Sequence, residues 1–229
     1  MGDQVDARPA GLAEFDRAWQ DAIEQLPAPG MVTALAGLTR LGERPASLAR
    51  LANIIGRSTT DTRKLCGEYL SVVIDEDTIR WDPPFPGDET RRTLYVGDRE
   101  IPMRCGCAPD LFAYAAVLDS PFRVEETCPV TGRTIHVDFV PGGYRRVDPP
   151  GTVTVLLPPQ RLLAASGIFV DIDHNVCAHQ PFYASTQAAR SRLTARHGSW
   201  TFTVAEMFRR PFVTYLHDHL RPLIHPVDR

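Results

Sequence analysis

The stretch from Met103 to Tyr114, MRCGCAPDLFAY, organises the interpretation of the whole sequence. Pro109 suits the first turn of a helix, because the N–H that proline lacks would be unpaired there anyway. The apolar run 111–118 predicts that this helix is buried. Cys107 therefore precedes a helix N-terminus, where the helix dipole favours a thiolate. Asp110 falls in the first turn, so a soft nucleophile and a proton carrier are expected side by side.

Composition and charge exclude several classes of protein. The 229 residues carry a net charge of −3 and are 43% hydrophobic, as is usual for a soluble globular protein. This charge gives no reason to expect nucleic acid or an acidic membrane as the main partner. No apolar run approaches the roughly 20 residues of a membrane span, and the first residues do not resemble a signal peptide. A cytoplasmic location is therefore predicted, with the five cysteines kept as thiols.

The first predicted domain covers residues 1–82. Helices are expected at 11–26, 31–41, 45–52 and 59–69, followed by a hairpin at 72–81. A helix-turn-helix with a β wing indicates a winged-helix-like unit. Its second helix carries Arg63 and Lys64 but also Asp61 and Glu68, so it lacks the basic surface of a DNA reader. A structural role is the favoured interpretation.

The second predicted domain covers residues 83–229 and follows a proline-rich bend. Strands are expected at 92–96, 122–126, 134–140, 153–157, 167–172 and 199–202, with helices after Cys107 and from Ser185 to Gly198. Thr203 and Glu206 match a capping box, and Pro211 should break the last helical stretch. The predicted fold class is α+β: a winged-helix-like helical domain, then a mixed β-sheet catalytic domain with flanking helices.

The cysteines and histidines allow other site chemistries. Residue types compatible with a metal site occur at Cys105, Cys107, His174, Cys177 and His179. Structural zinc needs about four well-spaced ligands, and neither C-x-C nor H-x₂-C-x-H is a standard zinc-finger pair. A cysteine–histidine hydrolase has no local signature here. Cys66 lies beside Leu65 on the helix predicted at 59–69 and is expected to be a buried small hydrophobe.

Three motifs taken together resemble those of the organomercurial (alkylmercury) lyases. They are C-x-x-D at Cys107, C-x-x-T-G at Cys128, and C-x-H at Cys177 followed by an aromatic pair, Ala and Ser. The resemblance spans roughly residues 35–222, including a winged-helix-like part. It implies that Cys107, Asp110 and Cys177 form the catalytic set and bind the mercury, and that Cys128 is structural. The chain departs from the family at residues 104–106 and at two positions after Cys177, which affects substrate choice.

The implied reaction is protonolysis of a carbon–mercury bond, giving a hydrocarbon and Hg(II). Two thiolates suit mercury, which is a soft metal, and Asp110 would relay the proton to carbon. No organic cofactor is expected, since mercury is bound as substrate and product. The expected partners are an organomercurial substrate and, as Hg(II) acceptors, cytosolic thiols or a mercuric reductase. Neither nucleic acid nor a membrane is expected.

Two other classes of function remain open on the residues alone. One is a fold relative that acts on another metal or in a biosynthetic step, because a fold does not fix a function. The other is a thiol- or metal-sensing winged-helix regulator. A DNA mobility shift would favour the regulator, whereas hydrocarbon release from an organomercurial would favour the lyase.

Overall fold

The computed structural model describes seven segments of the chain, and the fold is built from these. They are residues 11–25, 46–67, 72–81, 92–103, 107–159, 177–193 and 198–224. Helices and antiparallel sheets both contribute, which gives the predicted α+β class. The helix predicted at 31–41 and the strand predicted at 167–172 lie outside the described residues.

Helix α1 (Leu12–Gln25) confirms the amphipathic pattern of the sequence. Phe15 and Trp19 are buried, and the Trp19 indole N–H donates to the Leu157 carbonyl at 2.8 Å. On the same helix Asp16 forms an ion pair of 3.0 Å with Arg210. Helix α1 thus packs against the second half of the chain, across the boundary predicted after residue 82. That division into two domains remains a prediction.

The next described segment contains two short helices and a three-stranded sheet. The elements are β1 (Ala46–Ser47), α2 (Leu48–Ile54), α3 (Thr59–Gly67), β2 (Val72–Asp75) and β3 (Thr78–Trp81), with sheet order β1-β3-β2. Helix α2 begins later than the predicted residue 45, because Ser47 is its N-cap and accepts the Arg50 N–H at 3.3 Å. The hairpin predicted at 72–81 is confirmed.

The largest sheet has the order β5-β4-β6-β7-β8. Its strands are β4 (Arg92–Val96), β5 (Arg99–Met103), β6 (Phe122–Thr127), β7 (Thr134–Val140) and β8 (Gly143–Asp148). Inward-facing residues alternate with outward-facing ones along β6 and β7, as predicted. Strands β5 and β8 are additional to the predicted ones. Strand β5 contains Pro102, and β8 has no buried residue, so neither shows a clear strand pattern.

A second, smaller sheet has the order β10-β9-β11, from β10 (Phe182–Tyr183), β9 (Val153–Leu156) and β11 (Trp200–Thr203). The prediction of a mixed sheet is wrong for the strands that the structure describes, since every pairing among them is antiparallel. Strands β4 and β5, β6 and β7, and β7 and β8 follow one another through short turns, and such connections require antiparallel neighbours.

Helix α4 (Ala108–Val117) lies at the centre of the core. Every residue of this helix except Asp110 is buried. Phe112 packs edge-on against Phe139 of the large sheet at 5.4 Å between ring centroids, and against Phe208 at 5.1 Å. Because the helix is fixed on all sides, its N-terminus with Cys107 is also held in a fixed position.

The last described segments contain short helices. They are a 3₁₀ turn (Cys177–His179), α5 (Thr186–Leu193), α6 (Val204–Met207), α7 (Pro211–Tyr215), a π-helical turn (Leu216–Leu220) and α8 (Arg221–Ile224). The predicted capping box is confirmed, with the Glu206 carboxylate accepting the Thr203 N–H at 2.8 Å. Pro211 starts a new helix, which confirms the predicted break. No helix within the described segments is long and apolar enough to cross a membrane.

Candidate active site

The N-terminus of α4 positions the first two predicted site residues. Cys107 is the N-cap in an extended conformation (φ −116°, ψ 169°), and Pro109 lies in the first turn. One oxygen of the Asp110 carboxyl group accepts the Cys107 N–H at 2.6 Å. This bond satisfies a backbone donor that the helix leaves unpaired. The C-x-x-D spacing therefore brings the sulfur and the carboxyl group to the same end of one helix.

Cys177 is held near the N-terminus of α4 by backbone hydrogen bonds. It begins the 3₁₀ turn, and its carbonyl accepts the Gln180 N–H at 3.1 Å. The Gln180 carbonyl in turn accepts the N–H of Ala108, the first residue of α4, at 2.9 Å. The segment that carries Cys177 is thus attached to the helix end that carries Cys107.

Cys107, Asp110 and Cys177 form a compact group. One ligand atom from each lies within 4.8 Å of the others. Both cysteines are buried, with 4% and 5% of their surfaces exposed, whereas Asp110 is half-buried. Two sulfurs and one oxygen at this separation suit a soft metal ion better than a hard one.

Among the described residues, no further zinc-compatible side chain adds a fourth ligand to this group. His179 is half-buried and is not among the grouped ligands, and Cys105 and His174 lie outside the described residues. Within the described residues the group therefore offers three ligand atoms, fewer than a structural zinc site needs.

The surroundings of Cys107 oppose the expected thiolate. Burial raises the pKa of Cys107 well above its ordinary value, and the hydrogen bond with Cys177 and the negative charge of Asp110 act in the same direction. The Asp110 backbone N–H at the helix end lowers this pKa but does not offset burial. Desolvation outweighs the helix dipole here, so Cys107 rests as a thiol.

Cys128 occupies a separate buried position. Burial alone would raise the pKa of its thiol, but hydrogen bonds from the Thr131 hydroxyl and from the N–H groups of Ala184, Thr131 and Val130 lower it overall. The Ala184 N–H lies 3.5 Å from the sulfur. Cys128 therefore ties the C-x-x-T-G turn to the chain that follows Cys177. Cys66, on α3, is fully buried, as expected for a core residue.

Gln180 is a site residue that the sequence motifs do not indicate. Its side-chain nitrogen lies 3.6 Å from the Cys107 sulfur, and only 1% of the residue is exposed. Glutamine is usually a surface residue, so a sequence offers little reason to place this one in the site. The sequence feature that could have indicated its place in the site is its position three residues after Cys177.

Comparisons with known proteins agree with the motif resemblance. The family model MerB, described as alkylmercury lyase, matches residues 91–210, which is slightly more than half of the 229-residue chain. Among solved structures, the chain resembles the crystal structure of the mercury-bound form of MerB2, with a TM-score of 0.58 and 16% sequence identity. That alignment covers 93% of this chain and 99% of the other. At this identity the likeness concerns the fold.

Proposed function

This chain belongs to the alkylmercury lyase family, and from that premise we propose which of its residues cleave the carbon–mercury bond. Cys107 and Cys177 bind the mercury of an organomercurial substrate, and Asp110 carries a proton to the departing carbon. The proximity of the two sulfurs and the carboxyl group, within 4.8 Å, is the observation that carries this proposal.

The enzyme converts an organomercurial into a hydrocarbon and Hg(II) by protonolysis. In the proposed sequence, one thiol forms a sulfur–mercury bond with the substrate, and its proton leaves with the exchangeable ligand that it displaces. The second thiol then binds the same mercury and gives its proton to the Asp110 carboxylate. Asp110 returns this proton to carbon as the carbon–mercury bond breaks, and the electron pair of that bond stays with the carbon. Hg(II) remains bound to two thiolates.

The resting thiol of Cys107 supports this order of events. Because its pKa is raised, Cys107 holds a proton until mercury displaces it. Asp110 lies next to it at a helix N-terminus, a position that favours an ionised carboxylate. An ionised Asp110 is a poor acid at rest, but it becomes an acid once it has taken the proton from sulfur. The proton is therefore delivered only after mercury is bound.

The bound Hg(II) must leave through other thiols. We propose that cytosolic thiols or a mercuric reductase accept it, since thiol exchange keeps a soft ion coordinated throughout. The reaction needs both site cysteines reduced, and the four cysteines that the structure describes are thiols. A cytoplasmic location supplies such a reducing environment. No organic cofactor is needed for these steps.

Isotope labelling of the product tests the proposed reaction. With phenylmercury as substrate and excess glutathione in D₂O, we expect the enzyme to release benzene that carries one deuterium, because the delivered proton comes from exchangeable groups. Mass spectrometry of the headspace measures it. Absence of benzene above the background with glutathione alone would contradict the proposal.

We also infer that α2, α3 and the β2–β3 hairpin belong to a winged-helix-like unit with a structural role, within the predicted domain 1–82. Helices α2 and α3 and the β2–β3 hairpin follow in the order expected for such a unit. On α3, Arg63 is engaged with the hairpin through the Glu76 carbonyl and the Asp77 carboxylate, which lies 3.5 Å away. This leaves less positive charge available for phosphate groups.

The structural role predicts weak binding to DNA. We expect a dissociation constant for duplex DNA of about 10⁻⁵ M or weaker at physiological salt, within the range of non-specific contacts. A mobility-shift titration with mixed-sequence and selected duplexes measures this. A sequence-specific shift at submicromolar protein would instead support a regulator.

A further inference from the structure

Gln180 uses all of its polar groups inside the protein. Its backbone N–H and carbonyl bond to Cys177 and Ala108, its side-chain oxygen accepts the Leu157 N–H at 2.9 Å, and its side-chain nitrogen donates to Cys107 at 3.6 Å. Burying an amide side chain is unfavourable unless both of its ends are paired. Through these bonds Gln180 connects the start of α4, the segment of Leu157 and the turn of Cys177, and it fixes the three segments relative to one another.

The orientation of the amide follows from its surroundings. The Leu157 N–H is a donor, so it requires the oxygen of the Gln180 amide, and the nitrogen must then face the sulfur. Leu157 is held from its other side as well, since its carbonyl accepts the Trp19 indole N–H at 2.8 Å. The amide is thus anchored through Leu157 to helix α1, and its nitrogen faces the Cys107 sulfur.

We propose that Gln180 is a positioning residue for the reaction: its side-chain N–H holds the Cys107 sulfur at the separation from Cys177 that joint binding of one mercury requires. This inference rests on the proposed two-thiolate function. Groups that hydrogen-bond to a metal ligand fix its orientation and adjust its donor strength. The main chain of Gln180 holds the Cys177 turn, and its side chain holds Cys107, so one residue sets the distance between both sulfurs.

The effect should appear in kcat more than in KM. In a Gln180→Met variant, which keeps the length of the side chain but removes the amide, Cys177 still captures the substrate. The second sulfur is no longer held in place for the bond-breaking step. We expect kcat to fall by about tenfold or more, with KM changed much less. Hydrocarbon release at saturating and limiting phenylmercury measures both constants.

A spectroscopic measurement reports on the sulfur directly. When the protein is loaded with mercuric chloride, thiolate-to-mercury charge transfer absorbs in the ultraviolet. We expect this band to shift in Gln180→Met, because the hydrogen bond to one sulfur is lost. The matched control is Ser185→Ala, which removes the bond from the Ala188 N–H at 3.1 Å and perturbs the same stretch of chain without touching sulfur. This control should keep the parent band and the parent kcat.

A second variant protects the test against a folding failure. Gln180→Asn keeps a buried amide but is one carbon shorter, so it cannot reach both Leu157 and the sulfur. It should lose kcat as Gln180→Met does, and circular dichroism identifies which variants are folded.

Parent kcat and an unshifted band in a folded variant would overturn the proposal, as would an equal loss of kcat in Ser185→Ala. Activity in Cys107→Ala or Cys177→Ala would instead show that the two-thiolate function itself is wrong.

Discussion

Cys107→Ala and Cys177→Ala should each abolish release of hydrocarbon from an organomercurial. One remaining thiolate can hold the mercury but cannot supply the paired coordination that weakens the carbon–mercury bond. Both cysteines are buried in the fold, and a glutathione thiol, which the site does not position, should not replace the missing sulfur. Gas chromatography of the hydrocarbon with excess glutathione measures the loss.

Cys66→Ala is the matched control for these two variants. Cys66 is also a buried cysteine, but it belongs to α3 and is not a member of the grouped ligands. We expect its activity to stay near that of the parent, with only the small loss of stability that a missing sulfur atom brings. Full activity in Cys177→Ala would disprove the two-thiolate mechanism.

Asp110→Asn should lower turnover by about 10²-fold or more, the usual contribution of a positioned acid–base group. The asparagine oxygen can still accept the Cys107 N–H, a bond of 2.6 Å in the parent, so the start of α4 should be unchanged. Both thiols also remain, and mercuric chloride should bind with parent stoichiometry. Turnover and mercury titration on the same preparation separate the proton step from binding.

Glu206→Gln provides a matched control, since it makes the same exchange of carboxylate for amide within a second capping box of the chain. It should retain parent turnover. Cys105 is the alternative proton source to be tested, because it is only two residues from Cys107 in sequence. The double variant Asp110→Asn with Cys105→Ala would reveal its contribution as a further loss. Parent turnover in Asp110→Asn alone would mean that Asp110 is not the relay.

Local patterns in the sequence predicted much of this fold. Pro109 and the apolar run after it were sufficient for helix α4, and alternation was sufficient for β6 and β7. Strand β5 was not predicted because Pro102 interrupts the pattern, and β8 because none of its residues is buried. Such strands depend on pairing with neighbours, which a local pattern does not contain.

The candidate site was predictable in part. The C-x-x-D spacing placed Asp110 beside Cys107 by helix geometry alone, whereas Cys177, seventy residues later, could be joined to them only through the family resemblance. The resting state of Cys107 could not be predicted from its position at a helix end, because its burial depends on the packing of distant segments. The role of Gln180 depends on the same packing, through Leu157.

Helix α1 lies outside the segment that the family model matches but packs against the chain that contains it. The matched segment starts at residue 91, yet Phe15 and Trp19 pack against the rings of Trp200 and Phe212. A fragment cut at the start of the match would expose that aromatic surface to water and leave the Leu157 carbonyl without its indole donor. We therefore expect a fragment that keeps residues 11–25 to be more stable than one that starts at residue 91.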